Sequence, residues 1–182
     1  MTIIISLLRG INVSGQKKVK MVDLKALYES LDFNDVTTYL QSGNVVFQSD
    51  VPLAELPTMI GDGVEETFGF ATDILVRTID DWQMLIEGNP FSKDSSVDIS
   101  KLYFTLLAET PPQSSINALN EIETGPDHYH LDGQTIYLHC PNGYGRTKIS
   151  NNFWERKLKV RATTRNWKTV NQLLAIAEKM LV

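Results

Sequence analysis

The chain has little cysteine and no long apolar run, and these scarcities exclude several classes of protein. Its 182 residues include one cysteine, Cys140, so neither an internal disulfide nor a cysteine-rich metal framework can form. A reducing compartment, the cytoplasm, is therefore the expected location. The apolar stretch from Ile3 to Leu8 is too short for a membrane span or a secretory leader, which predicts no membrane partner.

Basic residues are also scarce for a nucleic-acid-binding protein. Lysine and arginine total 17 against 22 aspartate and glutamate, a net charge of -5. Because dedicated nucleic-acid binders are usually basic, this balance disfavours such a partner. The hydrophobic share of 42% is ordinary for a globular chain and sufficient for a sizeable core.

The spacing of apolar residues predicts the order β-α-β-β-α-β twice, which is the order of a ferredoxin-like unit. The first half, 1–87, has predicted strands at 2–8, 36–41, 44–49 and 73–79 and predicted helices at 21–32 and 53–69. A linker is predicted at 88–100. The second half, 101–182, has predicted strands at 101–108, 127–131, 134–140 and 161–164 and predicted helices at 112–122, 149–159 and 166–180. The predicted fold class is α+β, with tandem ferredoxin-like (βαββαβ) halves and an added C-terminal helix capped by Asn166.

Each half contains a predicted hairpin with one face toward the helices and one facing outward. A two-residue Ser42-Gly43 turn would pair Gln41 with Asn44, and an Asp132-Gly133 turn would pair Leu131 with Gln134. The helix-facing sets are then Val36, Thr38, Leu40, Val45 and Phe47 in the first hairpin, and Tyr129, Leu131, Ile136 and Leu138 in the second. Ile4 and Leu8 are assigned to the outward side of the first sheet. Because such an apolar face needs a cover, we expect either the other half or a second subunit, in a homodimer, to supply it.

The segment Gly10–Lys20 joins a strand to a helix and combines glycines with lysines. Backbone N–H groups of such a loop can point at an anion, and the amino end of the helix adds a favourable dipole. A nucleotide-hydrolysing P-loop is excluded, because Gln16 follows Gly15 where a lysine is required and no hydroxyl follows Lys17. The alternative for this loop is a solvated connector.

Other polar clusters are weaker candidates. His128, His130 and His139 share the outward face of the second hairpin, but no carboxylate or thiolate completes a coordination sphere, so no metal and no cofactor is predicted. Cys140 is predicted to be a core thiol. No catalytic arrangement is legible, which leaves enzymatic activity open.

Two further segments, Gly143–Lys148 and Arg161–Asn166, place basic residues just ahead of helices. If they meet the first loop, they form a positive pocket in an acidic protein; the alternative is that they cap helices and are solvated. The predicted ligand-binding residues are Arg9, Gly10, Asn12, Lys17, Lys20, Gln41, Asn44, Arg146, Lys148 and Arg165.

Three stretches of the chain resemble the bacterial domain of unknown function (DUF) 1697 family. They are LRGINVSGQKKVKM at 8–21, TYLQSGNVVF at 38–47 and RATTRNWKTV at 161–170. The resemblance covers nearly the whole chain and implies a cytosolic α+β protein of tandem ferredoxin-like units. It implies no activity, cofactor or catalytic residue.

Three hypotheses about function follow. The first is a small anionic ligand, carrying phosphate or carboxylate, bound at the Gly10–Lys20 loop. The second is a single-stranded nucleic acid stacked on the outward sheet faces, where Tyr39 and Tyr137 lie. The third is a structural or interaction role without a ligand.

Overall fold

Residues 1–181 are described by the structure, a computed structural model, and they form two four-stranded antiparallel sheets and six α-helices. The first seven elements are β1 (Thr2–Leu8), α1 (Met21–Ser30), β2 (Asn34–Tyr39), β3 (Asn44–Ser49), α2 (Leu56–Phe68), β4 (Ile74–Thr78) and α3 (Ile79–Glu87). The next seven are β5 (Leu102–Leu107), α4 (Gln113–Asn117), β6 (His128–Asp132), β7 (Thr135–His139), α5 (Asn151–Leu158), β8 (Ala162–Asn166) and α6 (Trp167–Glu178). The sheets have the orders β2-β3-β1-β4 and β6-β7-β5-β8, which confirms the predicted α+β class.

The chain divides into two compact units. One consists of Met1–Met84 together with the residues from Gln172 onward, and the other is Leu85–Asn171. Helix α3, which the sequence analysis missed, follows β4 without a loop. The end of α6 therefore belongs to the first unit, although the prediction assigned the whole C-terminal helix to the second half.

The central strand β1 presents Ile4, Ser6 and Leu8 to the helices of the first unit. The Ser6 hydroxyl lies 2.8 Å from the hydroxyl of Tyr28 on α1, and Ile4 and Leu8 belong to the same core cluster as Tyr28. The assignment of Ile4 and Leu8 to the outward side is therefore wrong, because side chains alternate along a strand. The outward side of β1 holds Ile3, Ile5 and Leu7, all of which are buried.

The first hairpin has a longer turn than predicted. Tyr39 pairs with Asn44, so Gln41 is a turn residue and does not pair with Asn44. Leu40, predicted to face the helices, lies in this turn with φ 59° and is 52% exposed. Val36, Val45 and Phe47 are in the core as expected. The residue pattern predicts which face each side chain occupies more reliably than it predicts the length of the turn. The pairing partner of Asn44 is shifted by two residues, and a shift of two keeps every side chain on the same face of the strand.

The second hairpin shows the same kind of shift. Asp132 pairs with Thr135 and Leu131 with Ile136, so Leu131 does not pair with Gln134 and the turn lies one residue later than predicted. The faces are retained: Ile136 and Leu138 enter the core of the second unit, where Tyr129 and Leu131 pack against them.

One junction occurs in both halves, where the last strand runs directly into a helix. The Thr78 hydroxyl at the end of β4 accepts the Asp81 N–H at 3.1 Å. The Asn166 side chain at the end of β8 accepts the Thr169 N–H at 2.8 Å. Each contact satisfies a backbone donor in the first turn of the helix, and the predicted cap at Asn166 is confirmed.

Candidate functional site

The Gly10–Lys20 loop is fastened to the first hairpin through Asn12. The Asn12 side-chain oxygen accepts the Val19 N–H at 2.8 Å. Its Nδ2 donates to the carbonyl oxygens of Val19 at 2.9 Å and Gln41 at 2.8 Å. The Asn12 side chain, predicted to contact a ligand, already makes three hydrogen bonds within the protein. This indicates that Asn12 holds the loop in shape.

Apolar residues hold the base of the loop against the sheet. Ile11 and Val19 are 1% and 4% exposed and belong to the core cluster of the first unit. A Cβ added to Gly43 would lie 2.7 Å from Ile11 Cδ1 and 2.9 Å from Leu8 Cβ. Only glycine fits at this position, so the hairpin turn and the loop are packed as one piece.

Backbone strain is concentrated in this piece. The residues with positive φ are Gly10, Asn12, Ser14, Gly15 and Lys17 in the loop, and Leu40 and Gly43 in the turn. Four of them are among the seven non-glycine residues with positive φ in the described chain. Such conformations cost free energy and tend to cluster where a site is held in a fixed geometry.

A groove of about 460 Å³ lies between the loop, the hairpin turn and the ends of helices α1 and α2. Its lining residues are Asn12, Lys18, Val19, Lys20, Met21, Asp23, Gln41 and Phe68. Three of these, Asn12, Lys20 and Gln41, are among the predicted ligand-binding residues. Lys18, the second of two adjacent lysines in the loop, was missed, although the same basic run contains it.

The groove carries more positive than negative charge. The side-chain ammonium groups of Lys18 and Lys20 have no hydrogen-bond or ion-pair partner among residues 1–181, and both residues are exposed. Lys20 is also the N-terminal flanking residue of α1, and no side chain caps that helix end. The first N–H groups of α1 and the two ammonium groups therefore offer donors to an anion. Asp23 supplies the one carboxylate of the lining.

Four predicted residues of the first unit, Arg9, Gly10, Lys17 and Asn44, do not line the groove. The ammonium group of Lys17 donates to the Ala71 carbonyl at 2.8 Å and lies 5.7 Å from the centroid of the Phe70 ring. Asn44 is fully buried, and its Nδ2 donates to the Tyr39 carbonyl at 2.7 Å. The Arg9 backbone N–H donates to the Asp73 carbonyl at 3.0 Å.

In the second unit, the two basic segments are joined through a tyrosine. The Tyr144 hydroxyl donates to the Thr164 hydroxyl at 3.2 Å and accepts the Asn151 N–H at 2.8 Å. Arg146 and Lys148 are exposed. Arg165 lies on the other face of β8 from Thr164, because neighbouring strand residues alternate. The segments thus meet without bringing Arg165 to Arg146.

Burial shapes the electrostatics of the remaining candidates. Burial lowers the pKa of Arg165 to about 10 and raises the pKa of Cys140 to about 11. Cys140 is a buried free thiol in the core, as predicted. His128 and His139 stack with ring centroids 5.9 Å apart, and burial followed by the neighbouring His128 lowers the pKa of His139.

The described residues contain neither a candidate metal cluster nor a membrane-spanning helix. Within 1–181, His, Cys, Asp and Glu side chains nowhere form a group of three or more that could hold a metal ion. Across the same residues, every helix is too short or too polar to cross a membrane.

The fold and site define an α+β protein with two four-stranded antiparallel sheets and a fastened, lysine-bearing loop beside the first. The chain belongs to the family described as protein of unknown function DUF1697, whose model matches residues 1–137; the resemblance found in the sequence is thereby confirmed. The solved structure of the conserved bacterial protein SP0830 from Streptococcus pneumoniae is similar, with a TM-score of 0.78 and 21% identity over 97% of this chain and 98% of that one. At that identity the likeness shows the fold. No curated protein matches the chain.

Proposed function

We propose that this protein binds a small anionic ligand in the groove between the Gly10–Lys20 loop and the Gln41 turn. The observation that carries the proposal is the pair Lys18 and Lys20, two ammonium groups without a protein partner in the described chain, on one groove beside the uncapped amino end of α1. Lys20 and Gln41 keep their predicted role as ligand contacts. Asn12 holds the loop in shape, and Lys18 joins the contacts.

The physical case rests on preorganisation. The loop is tied at its base by Asn12 and packed against Gly43, so its backbone is already held in shape before a ligand arrives. A preorganised loop loses less conformational entropy on binding than a mobile one. An anion near a helix amino end gains a further favourable interaction with the dipole.

The nucleic-acid alternative receives little support from the sheet faces because, of its two predicted stacking residues, Tyr39 is half-buried and Tyr137 is buried. A single-stranded nucleic acid would need exposed aromatic rings on which its bases could stack. Tyr137 is 3% exposed and its neighbour Phe104 is fully buried. The outward residues Ile5 and Leu7 of the first sheet are likewise buried.

We also propose that each half is a ferredoxin-like unit, joined near 88–100, and that the protein resides in the cytoplasm. The βαββαβ order and the equivalent strand orders of the two sheets support the first statement. The buried, unpaired Cys140 is compatible with a reducing compartment.

Isothermal titration calorimetry at low salt tests the site. Inorganic phosphate, small phosphomonoesters and small carboxylates are the probes, and binding should weaken as ionic strength rises. Lys18→Ala with Lys20→Ala should abolish binding. Lys157→Ala with Lys168→Ala is the matched control, because it removes the same charge from exposed positions outside the groove. Equal loss in both double variants would show a net-charge effect and refute the site, as would the absence of binding by every probe.

A further inference from the structure

We propose that the ligand of this groove is an amphiphilic anion, which joins one anionic group to an aromatic or aliphatic body. This inference rests on the proposed function, since it assigns a chemical class to the ligand of the same groove. The observation that carries it is the apolar part of the lining, formed by Val19, Met21 and Phe68, which an inorganic anion would leave unused.

Phe68 is the clearest apolar contact. It ends helix α2 and is only half-buried, while its ring stacks on Phe70 at a centroid distance of 6.4 Å. Met21, at the start of α1, is half-buried as well. Both pack on the core with one side and reach the groove with the other. Covering such surfaces with an apolar ligand group is favourable, because apolar surface of both the protein and the ligand is removed from contact with water.

The size of the groove agrees with a ligand larger than a bare anion. Its volume of about 460 Å³ falls in the range of small-molecule pockets, which combine apolar walls with a few polar groups that orient the ligand. Here the polar groups are the ammonium groups of Lys18 and Lys20 and the side chain of Gln41. The same groove therefore provides both an anchor for charge and a surface for an apolar body.

Asp23 limits the charge that the ligand can carry. Its carboxylate stands in the lining with the two lysines, which leaves a net charge of about one positive unit there. A ligand with a single anionic group matches that balance, whereas a polyphosphate would meet repulsion from Asp23.

The test compares phenyl phosphate with inorganic phosphate by calorimetry on the full chain. Phenyl phosphate should bind about tenfold more tightly, because its aromatic ring would be removed from water by packing against Phe68. Phe68→Ser should remove most of that preference. Phe70→Ser is the matched control, because Phe70 packs on the same core and stacks on Phe68 but does not line the groove.

The outcomes separate this inference from the proposed function. Equal affinities for the two probes in the wild type, both abolished by the double lysine variant, would overturn the amphiphile and leave anion binding intact. Binding by neither probe would overturn both. A preference that survives Phe68→Ser in a protein with native circular dichroism, or that Phe70→Ser reduces equally, would place the apolar contact elsewhere and refute the assignment. Asp23→Asn should tighten phenyl phosphate binding severalfold, and weaker binding would contradict the charge argument.

Discussion

The two halves of the chain share a strand order but differ in the connection after the first strand. Residues 9–20 separate β1 from the ten-residue helix α1, whereas residues 108–112 separate β5 from the five-residue helix α4. The short connection is sufficient for the same sheet order. The strained loop of the first half is therefore an addition to the scaffold, and such additions carry function more often than structural elements do.

The hairpin turns of the two halves also differ, because Gly43 packs against the loop and Gly133 has no neighbouring atom within 4 Å. A pair of glycine substitutions tests this difference. Gly43→Ala would place a Cβ against Ile11 and Leu8 and force alanine to adopt φ +81°, so we expect a loss of about 3 kcal/mol in the free energy of unfolding. A Cβ added by Gly133→Ala in the second hairpin would meet no atom within 4 Å, and the only cost is the left-handed backbone conformation at φ +55°. We therefore expect a loss of about 1 kcal/mol in the free energy of unfolding. Urea denaturation measures both. Equal losses would mean that the first turn is not packed against the loop.

The fastening of the loop can be removed at Asn12. Asn12→Ala deletes three hydrogen bonds and should cost about 2 kcal/mol, with faster hydrogen exchange at the Val19 amide. Asn12→Gly removes the same bonds but accommodates φ 56°, so it separates the bonds from the strain. Unchanged exchange at Val19 in both variants would show that the loop is held by other contacts.

The strand-to-helix junction that occurs in both halves allows the energies of two equivalent helix caps to be compared. Thr78→Ala removes the hydroxyl that caps α3, and Asn166→Ala removes the side chain that caps α6. Each should lower the free energy of unfolding by about 1 kcal/mol. If only one variant is destabilised, the two junctions are equivalent in geometry but not in energy.

A smaller effect concerns buried tyrosines at high pH. Burial, followed by the nearby Asp132, raises the pKa of Tyr137 to about 12, above the value of about 10 for an unfolded tyrosine. The folded state therefore holds the phenol proton more tightly, and this contribution is present below pH 10 and lost as the pH rises from 10 to 12. Tyr137→Phe should reduce the loss of stability between pH 9 and 11 by about 1 kcal/mol, measured by urea denaturation at each pH. An unchanged pH profile would contradict the raised pKa.

Local patterns in the sequence predicted most of the elements, and the misses have physical causes. Alternation fixed the hairpin faces, but Ser42-Gly43 did not reveal that Leu40 adopts a left-handed conformation, which is rare for leucine. Helix α3 was missed because it follows Thr78 directly, without the loop that usually separates elements. Its spacing of Ile79, Trp82 and Leu85, all buried, is the signal that could have found it.

The candidate site was predictable in place but not in detail. The glycine- and lysine-rich composition of 10–20 pointed to the loop that lines the groove. The roles of Asn12 and Lys17 depend on the carbonyl groups of Gln41 and Ala71, which lie far away in sequence. Likewise, Phe68 could be recognised as a groove residue only once the end of α2 was placed beside the loop.

The assignment of the C-terminal residues to the first unit has a consequence for synthesis on the ribosome. The Gln48 side chain donates to the Met180 carbonyl at 3.4 Å, and Ile176, Lys179 and Met180 line a groove with β2 residues Asn34–Thr37. The first unit thus obtains some of its contacts from residues that are translated 132 positions later. Contacts of such long sequence separation slow folding, so on the ribosome the first unit lacks these contacts until residues 176–180 have been synthesised.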